Sequence, residues 1–179
     1  MAQINNIIPF IRKWEGGYSN NPLDSGGATM WGVTLAVYTA YRKAKGIATT
    51  TVADLKNITV AEFAEILKAN YWDKWQADKI NSQAVANLLV NWAWGSGATT
   101  SIKAFQKGAG LTQDGIVGAQ TLAYINAQNE IDLFNKIWTM RKDFFVNIVK
   151  SKPTQVIFLA GWLNRLYDNV LYNFNLIKK

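Results

Sequence analysis

The stretch Ala84–Trp94 (AVANLLVNWAW) constrains the fold more than any other part of the chain. It is almost wholly apolar over a length that suits a helix. A helix apolar all round has no face to give to water, so it sits at the centre of a fold with other elements around it. Ser82 or Asn81 starts it, and Gly95-Ser96-Gly97 stops it. A chain of 179 residues, 49% hydrophobic and 17% charged, is large and apolar enough to build that enclosure.

The rest of the chain reads as further helices. Ile4, Ile7, Ile8, Ile11 and Trp14 recur at helical spacing and predict an amphipathic helix over 3–15, stopped by Gly16-Gly17. Residues 18–33 are rich in turn formers, with a β-leaning run at Thr29–Val33, which predicts a loop and a short hairpin. Thr34 caps a helix over 35–45 that ends at Gly46, and a loop with one helical turn fills 46–58. Thr59-Val60-Ala61-Glu62 has the capping-box pattern and opens a helix through Phe63, Ile66 and Leu67. Beyond the central helix come helices over 100–107, 119–126 and 129–150, a break at Pro153, and a last helix over 154–174. There are no repeats and no long linker. The fold class is mainly α, with a small β-hairpin near residues 18–33. The glycines at 95–97 divide the chain into lobes 1–95 and 96–179, packed together.

Two residue types are missing, and that restricts the chemistry. With no cysteine and no histidine, Cys/His zinc sites and Ser-His-Asp or Cys-His nucleophilic sites are excluded. Carboxylates are left as the natural acid and base, with Lys or Tyr as less common substitutes. The net charge is +7 and the pI about 9.6, which favours polyanions such as nucleic acid, anionic lipid or cell-envelope polymers. The basic residues form no stripe, and no nucleic-acid motif is present, so nucleic acid is not expected as a partner. No run approaches the length of a membrane span, so membrane insertion is not expected either. No signal peptide is visible. The expectation is a monomer made in the cytoplasm that needs neither metal nor cofactor.

Glu15 is the first candidate acid. It ends an apolar helix beside Trp14 and precedes two glycines. A carboxyl group beside apolar packing and the negative end of a helix dipole suits a proton donor. The glycines leave backbone open to an approaching sugar chain. Asp24, in the turn Asn21–Gly27, is a candidate second carboxylate, and Thr29 a candidate holder of a catalytic water. An Asp between Pro and Gly is also a common turn residue, and a Thr a common strand residue. Thirteen per cent of residues are aromatic, eight of them Trp. Most such rings fill cores, but flat rings also stack on sugars. Tyr18 and Trp31 flank Asp24 and Thr29 in sequence and are the best sugar-facing candidates. Asn20, Asn91 and Trp94 complete the candidate substrate-binding set.

The run from Glu15-Gly16-Gly17-Tyr18 through Asn20-Asn21-Pro22-Leu23-Asp24-Ser25-Gly26-Gly27-Ala28-Thr29 to Gly32-Val33-Thr34 resembles the signature of glycoside hydrolase family 108, a family of bacterial and phage N-acetylmuramidases. Tyr71-Trp72-Asp73, Asn91–Gly97 and Gly161–Arg165 are similar as well. The resemblance implies a lysozyme-like helical fold, a peptidoglycan glycan substrate, and cleavage of the bond between N-acetylmuramic acid and N-acetylglucosamine. It implies that Glu15 is the catalytic residue. The order Glu15, Asp24, Thr29 also resembles the acid, second carboxylate and threonine of phage-type lysozymes. The sequence departs from the family where the central helix usually ends F-D-x-A-V-N-S-G: Asn91 stands at the Asp position and Gly95 at the Asn position. That favours a lytic transglycosylase, which needs one acid only, as an alternative to hydrolysis. A non-catalytic wall-binding module is a further alternative.

In the second half, Ala104-Phe105-Gln106, Gly110-Leu111, Asp114-Gly115-Ile116-Val117-Gly118 and Thr121-Leu122 resemble small helical peptidoglycan-binding domains. Gln106 and Asp114 are open to two readings, as wall contacts or as pins of the turn.

Overall fold

The computed structural model describes residues 1–20, 27–174 and 176–177. They form two compact units, one of Ile8–Ala69 and the other of Met1–Ile7 with Asn70–Lys179.

The unit Ile8–Ala69 opens with α1, Ile8–Glu15. The helix expected over 3–15 is broken near its start. Ile4–Asn6 is a 3-10 turn, and α1 begins next to Pro9. Proline lacks an N–H and its ring clashes with the carbonyl four residues back, so it fits only the first turn of a helix. Phe10 and Ile11 are buried. The chain then forms β1 (Tyr18–Ser19), β2 (Thr29–Met30) and β3 (Val33–Thr34), an antiparallel sheet in the order β1-β2-β3. Tyr18 pairs with Met30 and Ser19 with Thr29, while Thr29 also pairs with Thr34 and Met30 with Val33. The expected hairpin is therefore a three-stranded sheet. The cause is Trp31-Gly32, where both φ angles are positive (51° and 75°), as a two-residue hairpin turn requires. The run Thr29–Thr34 folds back on itself instead of continuing as one strand.

Three helices complete this unit: α2 (Leu35–Ala44), α3 (Val52–Lys56) and α4 (Val60–Leu67). Thr34 Oγ1 accepts from the Val37 N–H, 3.2 Å away. Thr51/Asp54 and Thr59/Glu62 are both full capping boxes. Side chains of α2 reach the same carboxylates. Tyr38 donates to Glu62 Oε1 at 2.8 Å, while Glu62 Oε2 accepts from the Thr59 amide and hydroxyl. Tyr41 donates to Glu65 at 3.1 Å, Lys45 approaches Glu65 at 2.6 Å, and Arg42 lies 2.8 Å from Asp54. Burial first, then the bond to Glu62, pushes the Tyr38 hydroxyl up to about 12. The Thr51 hydroxyl, then its amide, then Arg42 hold Asp54 down at about 2.

The other unit is built around α5, Gln83–Ser96, capped by Ser82. Every residue from Ala84 to Ala93 is buried, as an all-apolar helix demands. Against it pack α6 (Ala98–Ala109), α8 (Glu130–Ser151) and α9 (Val156–Asn173), with α7 (Ala119–Ala127) between α6 and α8 in the chain. Aromatic pairs fill the contacts: Trp92 with Phe144 at 5.6 Å, Trp75 with Phe105 at 5.6 Å, and Phe145 with Trp162 at 5.4 Å between ring centres. Asn87 donates to Asn173 at 2.7 Å and Asn173 to Asn169 at 2.9 Å, all three buried. Gln83 donates to Asn87 and bonds Gln3 in both directions. The division by packing falls between 69 and 70, earlier in the chain than the glycines at 95–97, because α5 is the core of the second unit.

Candidate active site

Glu15 is the last residue of α1 and is half-buried. Gly16 turns the chain away from the helix at φ +65°, a conformation that glycine adopts without strain. Among the described residues, no atom lies within 4 Å of where a Cβ would stand on Gly16 or Gly17, so none of them covers the backbone beside Glu15. Tyr18 and Asn20 are exposed, and Lys56 Nζ lies 4.3 Å from the Tyr18 ring centre. Thr29, half-buried on the central strand, donates to the Ser19 carbonyl at 3.5 Å. Trp31 is half-buried and fixed in place. The Arg12 guanidinium stacks 4.0 Å over its ring, and Phe63 meets it edge-on at 6.0 Å.

Within the unit Ile8–Ala69, the sheet pairs Tyr18 and Thr29 with neighbouring strands and sets Trp31 at the adjoining turn, while Glu15 ends the helix before β1. Asp24 lies outside the described residues. Asn91 and Trp94 belong to α5 in the other unit. Trp94 is half-buried against Tyr71 at 4.9 Å. Asn91 has no exposed surface, and its side-chain amide has no hydrogen-bond partner among the described residues. It therefore offers nothing to a glycan in this conformation.

Two residues near the candidate site were missed in the sequence. Arg12 precedes Glu15 by three positions, a spacing that places both on one side of a helix, so it was readable. Lys56 reaches Tyr18 only through the tertiary fold and left no local signal. Among the described residues no cluster of three metal-ligating side chains exists.

Gln106 is buried, and its amide donates to Asp114 at 2.7 Å and to the Ile116 carbonyl at 3.0 Å, while its carbonyl accepts from the Gly115 N–H at 2.9 Å. The Ile116 N–H, then Gln106, hold the Asp114 carboxyl below its usual range. The pair pins the turn after α6.

A mainly helical chain with one small three-stranded antiparallel sheet is the architecture of lysozyme-like glycoside hydrolases. The family model for glycosyl hydrolase 108 matches residues 8–97, and the chain belongs to that family. A second family model, described as a predicted peptidoglycan domain, matches residues 100–167. A structure of SagA from Brucella abortus superposes with a TM-score of 0.80 at 28% identity, covering 98% of this chain and 96% of that one. No curated protein matches the sequence. Family and second domain together make the chain a glycoside hydrolase directed at peptidoglycan.

Proposed function

We propose that the chain is an N-acetylmuramidase that cleaves the bond between N-acetylmuramic acid and N-acetylglucosamine, with Glu15 as the acid. The observation that carries this reading is the placement of Glu15: a half-buried carboxyl at a helix end, beside backbone that no side chain among the described residues covers. Glu15 gives its proton to the glycosidic oxygen as the bond to the sugar carbon breaks. A water adds to that carbon and yields its proton to a second carboxylate, for which Asp24 is the candidate, with Thr29 holding the water. Tyr18, Asn20 and Trp31 line the approach, and Trp31 is the ring best fixed for stacking on a sugar.

One observation favours a second reading. Asn91 is an amide and is buried, so it supplies no base. A lytic transglycosylase needs no second carboxylate, because the substrate's own hydroxyl closes on the sugar carbon and gives its proton to Glu15, left as a carboxylate once it has protonated the leaving oxygen. Digestion of purified sacculi separates the two, since hydrolysis leaves reducing ends and the transglycosylase leaves 1,6-anhydro ends. Glu15→Gln is expected to lower lysis by about a hundredfold or more. Undiminished lysis by that variant removes Glu15 from the mechanism, and no lysis by the unmodified chain leaves a wall-binding module.

A further inference from the structure

We infer that Lys56 is a specificity-determining residue of the candidate site, one that receives a carboxylate of the peptide stem carried by muramic acid. The inference rests on the reading of Glu15 as the acid, and it names a part of the wall polymer that the site holds besides the sugars. Lys56 is the last residue of α3 and is exposed. Its Nζ stands 4.3 Å from the centre of the Tyr18 ring, and Tyr18 opens β1 directly after Glu15-Gly16-Gly17. Arg12, one turn before Glu15 on α1, sets a second cation 4.0 Å over the Trp31 ring. Each of the two rings with the best claim to face sugar therefore carries a cation.

Pairing sets Lys56 apart from other cations of this unit. Arg42 is matched by Asp54 at 2.8 Å and Lys45 by Glu65 at 2.6 Å. Among the described residues, Lys56 is held over a ring and is not paired with a carboxylate. An aromatic face fixes an ammonium group from one side. It leaves N–H donors on the other side for an anion, and a charge-assisted bond to a carboxylate is the strong contact open to them. In the intact wall polymer both sugars are neutral, and the carboxylates sit on the peptide stem of muramic acid. A neutral sugar polymer such as chitin gives Lys56 no anion to meet. A cation beside Tyr18 therefore favours the peptide-bearing glycan over a bare one.

The test is cleavage by the full chain of soluble glycan strands that bear their peptide stems, against the same strands with the peptide carboxylates converted to neutral amides. The unmodified chain is compared with Lys56→Met, Lys56→Glu and Lys56→Arg, and melting temperatures check the fold. The unmodified chain is expected to prefer the peptide-bearing strands, and the preference is expected to shrink as salt rises. Lys56→Met is expected to lower kcat/KM on those strands about fivefold, through KM, and to remove most of the preference. Lys56→Glu lowers it about tenfold or more, and Lys56→Arg keeps the preference. Three results overturn the inference while leaving the muramidase reading intact. One is cleavage of both substrates alike by the unmodified chain. Another is undiminished cleavage by Lys56→Met. The third is an equal loss on both substrates, which makes Lys56 a support for Tyr18 and not a reader of the carboxylate. No cleavage of either substrate by the unmodified chain removes the muramidase reading, and this inference with it.

Discussion

Arg141 of α8 is enclosed at 2% exposure, and its Nη2 reaches the Asn91 carbonyl at 3.4 Å while Nε and Nη1 have no hydrogen-bond partner among the described residues. Burial first, then the charge of Arg165, draws its guanidinium down to about 9. A cation taken from water without a carboxylate costs several kcal/mol. The Phe145 ring, 5.5 Å away, offsets part of that. The folded value lies below the unfolded one, so the charge opposes folding at neutral pH and the penalty lifts only as pH rises past about 9. Arg141→Met, which keeps an unbranched chain of similar reach, is expected to raise the unfolding free energy by about 1–4 kcal/mol at pH 7. Urea midpoints at constant slope measure it; a drop instead would show that the cation holds α8 in place.

At the scale of elements, the caps at Thr34, Thr51 and Thr59 are short sequence patterns that the fold uses directly. Thr59→Ala removes the hydroxyl that accepts from the Glu62 N–H and donates to its carboxylate. The expected cost is about 1 kcal/mol, measured by thermal unfolding against the same substitution at an exposed site such as Thr112. The Thr59–Glu62 box and the Thr34 cap were legible because a cap needs two residue types at a fixed short spacing. Helix α5 was legible because an unbroken apolar run has one physical outcome. The third strand was not, since strands of two residues carry no alternation to read. The start of α1 was misplaced because periodic isoleucines outweighed Pro9. At the candidate site, Glu15 and its glycines were readable as a local pattern. The Arg12–Trp31 stack follows from spacing and a turn together, and Lys56 over Tyr18 follows from neither. Gln106 resembled part of a binding pattern, but it is buried with its amide bonded inside its own turn, so it has little left to offer.

Across the whole molecule, the two units are held by different chemistry. In Ile8–Ala69, α2 is tied to α3 and α4 through Asp54, Glu62 and Glu65. Lys45, then Tyr41, lowers the Glu65 carboxyl. Burial raises Glu62, but the bonds from Thr59 and Tyr38 outweigh it and the net shift is downward. With folded values below unfolded ones, these carboxylates stabilise the unit above the unfolded value of about 4, and the contribution drains as pH falls through the folded values. In the other unit, α5 and α9 are joined by Asn87, Asn169 and Asn173, neutral amides that do not titrate. Acidification from about pH 5 to about pH 2.5 is therefore expected to unprotect backbone amides of α2–α4 before those of α5 and α9. Hydrogen exchange read by mass spectrometry checks the order; simultaneous loss would mean that the carboxylate ties do not set acid stability.

The contacts of the first seven residues bear on how the protein is made. Gln3 bonds Gln83, and Asn6 accepts from the Tyr172 hydroxyl at 2.7 Å, so the segment Met1–Ile7 belongs with helices synthesised long after it. On the ribosome, Ile8–Ala69 is contiguous and emerges as one stretch early, whereas Met1–Ile7 must wait for α9 before its contact with Tyr172 exists. The segment Met1–Ile7 is thus translated well before the helices that hold it, and it stays without those contacts until they emerge.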